Sequence, residues 1–429
     1  MAVNQLRICS YNLHGFNSGV SYLKDLCGNN DIIFMQEHWL QSSQLDKFNS
    51  IDQHFVFYGS SAMDNRVASG IIRGRPFGGV GAFVRQDLSA VVKFHGCDVD
   101  SRVIVLKLEN NISSILIFGV YLPCVDNSAE YINSLHQILG YIESCIVMHP
   151  GCKYILIGDF NFECTMSNRG FCEFSAFITE FDMVVCDDLD SQNHSYTYCH
   201  ASLDHKSLID HVFVHSDVKD KISSYQIISN GANLSDHSPI QFVLAYQAAD
   251  VQLTSNKMCK PPSVLEYRWD KGDLGNYYMC TGNLLNKISH DFKCKETDHC
   301  CNEADHKSDI EVYYAEISHC LTKAAQATVP QIPRASLKHY WSIALDELKQ
   351  ASCSAHSIWL AADKPRSGHI HDMKKDAHYK YKLAVRDAMT LFEHKFTDDL
   401  LDLYLQKIST NFGKLGKRRP TEVCPCCPT

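Results

Sequence analysis

The sequence predicts an α/β domain followed by a mostly helical region. Three observations carry this reading. Short apolar runs alternate with helical stretches as far as residue 246. The runs are of strand length and almost wholly apolar, as strands buried on both faces are. Beyond Pro261 and Pro262 the apolar spacing becomes helical and stays so. A chain of 429 residues also exceeds what one hydrophobic core usually supports, so more than one domain is expected. The boundaries read as 1–246 for the α/β domain, 247–264 for a linker and 265–429 for the helical region.

Taken in order, "LRICSY" from Leu6 alternates apolar and polar residues, and "DIIFMQEHW" and "ISSILIFGVYLP" are strand-length runs. "AEYINSLHQILGYIESCI" then places Tyr131, Leu135, Ile138, Leu139, Ile142 and Ile146 on one face, which predicts an amphipathic helix with Asn127 and Glu130 in capping-box positions. "KYILIG" and "IDHVFVH" repeat the strand pattern. In "GIIRGRPFGGVGAFVR", Gly78, Gly79 and Gly81 permit a tight turn into a strand. Arg73 and Arg75 in that stretch either meet substrate phosphates or stand solvated on a hairpin. In the second half, "IEVYYAEISHCLTKAAQATV", "YWSIALDELKQASCSAHSIWLAA" and "YKYKLAVRDAMTLFEHKFTDDLLDLYLQKI" run far beyond strand length.

Composition narrows the function classes. No stretch approaches the roughly 18 uninterrupted apolar residues of a membrane helix, and the amino terminus lacks a charged segment followed by a long apolar one. An intracellular protein of nucleus or cytoplasm is the expectation, without membrane attachment. The 20 cysteines are scattered without the spacing of a disulfide scaffold, which points to reduced thiols. Residues 1–246 hold 15 basic and 26 acidic residues, net −11, and the remainder 25 and 23, net +2. So acidic a first half does not bind nucleic acid by bulk charge. Cys294, His299, Cys300, Cys301 and His306 fit no standard zinc-finger spacing, and Lys414 to Arg419 form a short basic cluster.

The chemistry lies where apolar runs end. "YILIGDFNFE" runs buried from Tyr154, breaks at a glycine, and delivers Asp159 and Asn161 to one side, because strand side chains alternate. A carboxylate and an amide on one face suit a hydrated cation, a reacting water or a phosphoryl oxygen. Five further strand ends repeat the theme: Asn12 in "SYNLHG", Glu37 in "QEHW", Tyr121 in "VYLP", Asp210 in "LIDHVFV", and Asp236 beside His237 in "SDHSP". A polar group interrupting a buried run needs a partner, so so many endings imply one shared site.

This ordered set, with Thr197 in "SYTY", resembles the endonuclease/exonuclease/phosphatase superfamily over residues 5 to about 245. The resemblance implies a four-layer DNase I-like α/β sandwich with its site in a cleft at one end. By position it makes Glu37 the principal Mg²⁺ ligand (Mn²⁺ as substitute), with Asn12 and Asp236 close to the metal. It makes Asp159 the group that aligns or deprotonates the attacking water, and Asn161 the phosphate holder. His237 would contact the scissile phosphate and be oriented by Asp210, Tyr121 would stabilise phosphate or leaving group, and Thr197 would support site and substrate. DNA-repair members carry an acidic residue where this chain has His14, read here as a solvent-exposed loop histidine. His211 is expected on the opposite face of its strand, in a structural role.

The second half is similar to the segment between endonuclease and reverse transcriptase in non-LTR retrotransposon polyproteins, over most of residues 265–390, without a polymerase following it. The expected function is Mg²⁺-dependent DNA endonuclease activity of the target-nicking type. The alternatives are a phosphatase or phosphodiesterase of smaller substrates, or a catalytically decayed nucleic-acid-binding or assembly protein. The helical region is read as an accessory that takes no part in hydrolysis and offers apolar surface to self-association or a protein partner.

Overall fold

The protein is described from a computed structural model over residues 4–64, 67, 76–109, 113–126, 128–165, 169–189, 196–200, 205–246, 265–267, 269, 272–289, 303–333 and 340–405. The first strands follow from the apolar runs. β1 (Asn4–Asn12) is joined through helix α1 (Phe16–Cys27) to β2 (Ile32–Gln36), and the two strands pair in parallel. β3 (Phe55–Ser60) and β4 (Val80–Arg85) form an antiparallel pair, and β4 continues onto β2. β5 (Val92–Cys97), β6 (Val103–Leu108) and β7 (Ile115–Tyr121) make a meander. Helix α2 (Ala129–Met148) then crosses over to β8 (Lys153–Asp159), which lies parallel to β7.

The cap of α2 is Ser128, whose hydroxyl accepts a hydrogen bond from the Tyr131 amide at 3.0 Å, which supplies the side-chain acceptor an N-cap needs. Asn127, Arg73, Arg75, the 247–264 segment with Pro261 and Pro262, Cys294 to Cys301 and the basic cluster from Lys414 lie outside the described residues. Helix α3 (Arg169–Glu180) and β9 (Met183–Val185) follow, then the hairpin of β10 (Tyr198–His200) and β11 (His205–Ser207). β12 (Asp210–His215), the single-turn α4 (Ser216–Lys219), β13 (Ile222–Ile227) and β14 (Ile240–Tyr246) complete the α/β part.

Among the described residues the strands form two six-stranded mixed sheets, in the orders β13-β14-β1-β2-β4-β3 and β5-β6-β7-β8-β12-β9. Period-two alternation sorts their side chains. Ile8 and Phe34 from the first sheet meet Ile117, Ile155, Ile157 and Val212 from the second in an inter-sheet core. From the intervening positions, Phe118, Leu156 and Phe213 pack under α2 and α3 against Leu135, Ile138 and Phe174. Tyr11 turns the other way, edge-on to Tyr22 of α1 at 5.7 Å. The layers are therefore helix, sheet, sheet, helices, a DNase I-like sandwich. Each fully buried aliphatic side chain here contributes roughly 1.5–3 kcal/mol relative to exposure.

The break in "YILIGD" now has its reason. Gly158 faces Val120 across the β7–β8 pair, and any Cβ there would collide with the Val120 carbonyl. Only glycine lets the strand run in this close and end on Asp159.

The carboxyl-terminal region is mostly helical, as expected. By contacts the chain divides into two compact units, Met1–Thr254 with Lys338–Thr429, and Ser255–Leu337. The second unit holds β15 (Leu265–Tyr267) paired with β16 (Gln331–Pro333), and helices α5 (Leu274–Leu285) and α6 (Glu303–Thr328). In the first unit, α7 (Ile343–Ala361), capped by the Ser342 hydroxyl, and α8 (His369–Leu405) pack against each other. Among the described residues no helix is long and apolar enough to cross a membrane. The described cysteines are free thiols.

Candidate active site

Parallel pairing puts several strand ends at the same edge. β1 ends at Asn12, β2 is followed by Glu37, β7 ends at Tyr121 and β8 at Asp159, while antiparallel β12 begins there with Asp210. The register sets Tyr121 opposite Asp159, and Asp159 opposite Asp210. The two sheets meet through Asn12, whose buried amide donates to Glu37 Oε1 at 3.1 Å and to Asp159 Oδ2 at 2.9 Å.

His237 reaches this cluster from the loop before β14. Its Nδ1 donates to Asp210 Oδ2 at 2.9 Å, and its Nε2 lies 3.9 Å from Asp159 Oδ2. Asp159, Asp210 and His237 are all buried, and their ligand-type atoms lie within 4.8 Å of one another. Burial disfavours the imidazolium, but the Asp210 and Asp159 carboxylates outweigh it and hold the His237 pKa up at about 10. Burial and then the Asp210 charge push the Asp159 carboxyl up to about 7, against the opposing pull of His237. One proton acceptor poised near neutrality thus sits beside one group that stays protonated.

The remaining residues frame this pair. Asn161, at φ 55°, donates its backbone amide to Asp159 Oδ1 at 2.9 Å and its side-chain amide to the Leu122 carbonyl at 2.8 Å. Burial, then the charges of Glu37 and Asp159, keep Tyr121 a neutral phenol. Thr197 is fully buried; its hydroxyl accepts the amides of Ile209 and Asp210 at 3.2 and 3.1 Å, fixing the start of β12. Glu37, at φ 54°, also accepts from Trp39 Nε1 at 3.0 Å.

His14 departs from its sequence reading. It is not a free loop histidine, since its Nδ1 lies 2.5 Å from Asp236 Oδ1 and its ring packs 5.2 Å from Trp39. Asp236 Oδ1 is buried and paired with His14. The pKa of Asp236 is nonetheless lowered, because its contacts with His14 and His237 outweigh burial. Glu37 and Asp159, joined through the Asn12 amide, present carboxylate oxygens of the kind a hard cation takes.

Sequence reasoning passed over Arg102. Its guanidinium lies 5.1 Å from the Tyr121 ring and 6.0 Å from Phe77, and Nη1 reaches the Tyr121 carbonyl at 3.5 Å. Its position just before the buried run of β6 was the available signal. His211 does face away, its Nδ1 on Asp187 at 2.6 Å and its Nε2 on the Phe162 carbonyl at 2.9 Å. His38 is buried and neutral, its Nδ1 accepting the Leu40 amide and its Nε2 donating to the Ser60 carbonyl. Burial lowers its pKa to about 4.

The profile of the Endonuclease/Exonuclease/phosphatase family matches residues 9–237. Among solved structures, the chain is similar to the AP endonuclease LMAP from Leishmania major at 12% identity and TM-score 0.44, covering 56% of this chain and 88% of that one. It is similar to the 3′ phosphatase NExo from Neisseria, bound to product DNA hairpin, at 16% identity and TM-score 0.42, covering 57% and 100%. It is similar to the endonuclease domain of TRAS1, a telomere-specific non-LTR retrotransposon, at 13% identity and TM-score 0.40, covering 57% and 100%. No curated protein matches the sequence.

Proposed function

Because the chain belongs to the endonuclease/exonuclease/phosphatase family, we propose that it is a Mg²⁺-dependent DNA endonuclease of the nicking type used by non-LTR retrotransposons. The observation that carries hydrolysis is the buried Asp159–His237–Asp210 cluster, with His237 Nδ1 on Asp210 at 2.9 Å and its Nε2 3.9 Å from Asp159. Asp159 aligns the attacking water and takes its proton, the role a general base near neutral pKa performs best. His237, oriented by Asp210, donates from Nε2 to a phosphoryl oxygen, where negative charge grows in the transition state. Tyr121 remains a phenol and can donate to the phosphate or leaving oxygen, while the Arg102 cation on its ring adds positive field. Asn161 borders the same phosphate position. Glu37 would hold the cation, with Asn12 and Asp236 beside it. When bound, the metal supplies Lewis-acid stabilisation of charge on the phosphoryl and leaving oxygens.

DNA as substrate and the retrotransposon origin rest on the residues 265–390 that resemble a retrotransposon connector. The test is incubation of the full chain with supercoiled plasmid, with and without Mg²⁺, beside Asp159→Ala. Conversion to open circles that needs both the metal and Asp159 supports the reading. Hydrolysis of small phosphate esters without nicking would place the chain among the family's phosphatases.

A further inference from the structure

We propose that the helix pair α7–α8 is a positioning element of the active site, holding from outside the loop that carries Asp236 and His237. This rests on the site assignment above. The loop is residues 228–239, between β13 and β14. Its outer side is bonded to α7. The buried Ser352 hydroxyl donates to the Gly231 carbonyl at 2.7 Å, and His356 Nε2 lies 2.9 Å from Ser229 Oγ. Leu234 is buried in a cluster with Leu345 of α7 and Tyr381 and Val385 of α8. Gly231 is a point of close approach, where a Cβ would run into the Ser352 carbonyl and the Cys353 Cα.

The inner side of the loop is bonded to the site. Asn233 Nδ2 donates to the His237 carbonyl at 2.6 Å, and Asn233 Oδ1 accepts from Tyr11 Oη at 2.6 Å. Ser235 Oγ accepts the His237 amide at 3.1 Å and donates to the Asn12 carbonyl at 2.8 Å. The residues that fix the His237 backbone are therefore interleaved with those gripped by the helices. The far end of the loop is bridged to β10, His237 opposite Tyr198, with the Cys199 amide on the Asp236 carbonyl at 2.9 Å and the Ser238 amide on the Thr197 carbonyl at 2.6 Å. The helices hold the near end, residues 229–234, from which Asn233 reaches the His237 carbonyl. α7 is tied in turn to α1 by Lys349 on Asp25 at 2.8 Å, which fixes the clamp to the first sheet's own helix.

The test uses the full chain and substitutions remote from the reacting groups. Gly231→Ala wedges α7 off the loop, and Ser352→Ala removes one bond without adding volume. Both should speed amide hydrogen exchange across residues 229–237 and shift the downfield proton resonance of the His237–Asp210 hydrogen bond. kcat for nicking should fall roughly ten- to a hundredfold in Gly231→Ala, as misplacement of a catalytic group does, with KM unchanged. Ser352→Thr, which keeps the hydroxyl, should restore both readouts. If Gly231→Ala does not fold, Ser352→Ala decides. Parental kcat and an unshifted resonance in a variant with a loosened loop would reduce the helix pair to packing, and unaltered exchange in both variants would show that the helices do not hold the loop. A parental chain that fails to nick refutes the nuclease reading, while exchange and the resonance still decide this one.

Discussion

Asp159 and His237 titrate in opposite senses for hydrolysis, and the sign of each fixes a limb of the pH profile. The rate should rise as pH passes about 7, where Asp159 loses its proton, and fall near about 10, where His237 loses its own. Asp210→Asn removes the main charge holding the imidazolium, so the alkaline limb should move to lower pH; a limb that stays in place would separate Asp210 from His237. Stability follows the same group. His237 has a folded pKa above its ordinary 6.5, so what its pairing contributes is complete below about 6.5 and is lost as pH rises through about 10. Glu37→Ala should lower kcat by about 10²–10³, the usual cost of one preorganised electrostatic group, and parental nicking by this variant would displace the metal site. The core polar residues were legible because each interrupts an apolar run. His14 and Arg102 were not, because what defines them is a partner distant in sequence, Asp236 for one and the Tyr121 ring for the other.

Single elements show why legibility differed. β7, β8 and β12 are buried on both faces and read as continuous apolar runs, and α2 declares itself by its spacing. β5 and β13 each carry two or more exposed side chains and offer no such run. The α2 cap was one residue from its expected place because Ser128 and Asn127 are equally good acceptors in sequence, and only backbone direction selects one. The most constrained point of any strand is Gly158. Gly158→Ala should cost on the order of 1–3 kcal/mol, as overpacking does, and lower kcat by displacing Asp159. Thermal unfolding and nicking measured together check this, and a variant with parental Tm and rate would mean that β7 gives way at Val120.

At the scale of the molecule, the division between an α/β part and helices was readable from periodicity. The attachment of α7 and α8 to the 228–239 loop was not, since those contacts join residues more than a hundred positions apart. Two whole-molecule outcomes are expected. Mg²⁺ should raise the Tm of the full chain, because a ligand that binds only the native state stabilises it, and Asp236→Ala should reduce that rise; an equal shift in both would remove Asp236 from the cation's surroundings. Phe34→Ala, in the inter-sheet core, should cost about 3–5 kcal/mol and make nicking fail at lower temperature. Its position matters because Asn12, and Glu37 just past the end of β2, are carried by one sheet, and Tyr121, Asp159 and Asp210 by the other. Neither sheet alone owns a hydrolytic centre. If the proposed nuclease function holds, a chain emerging from the ribosome should be harmless to nucleic acid until residues up to β14 have been made and the sheets have closed, so that cutting power would arrive together with the completed fold.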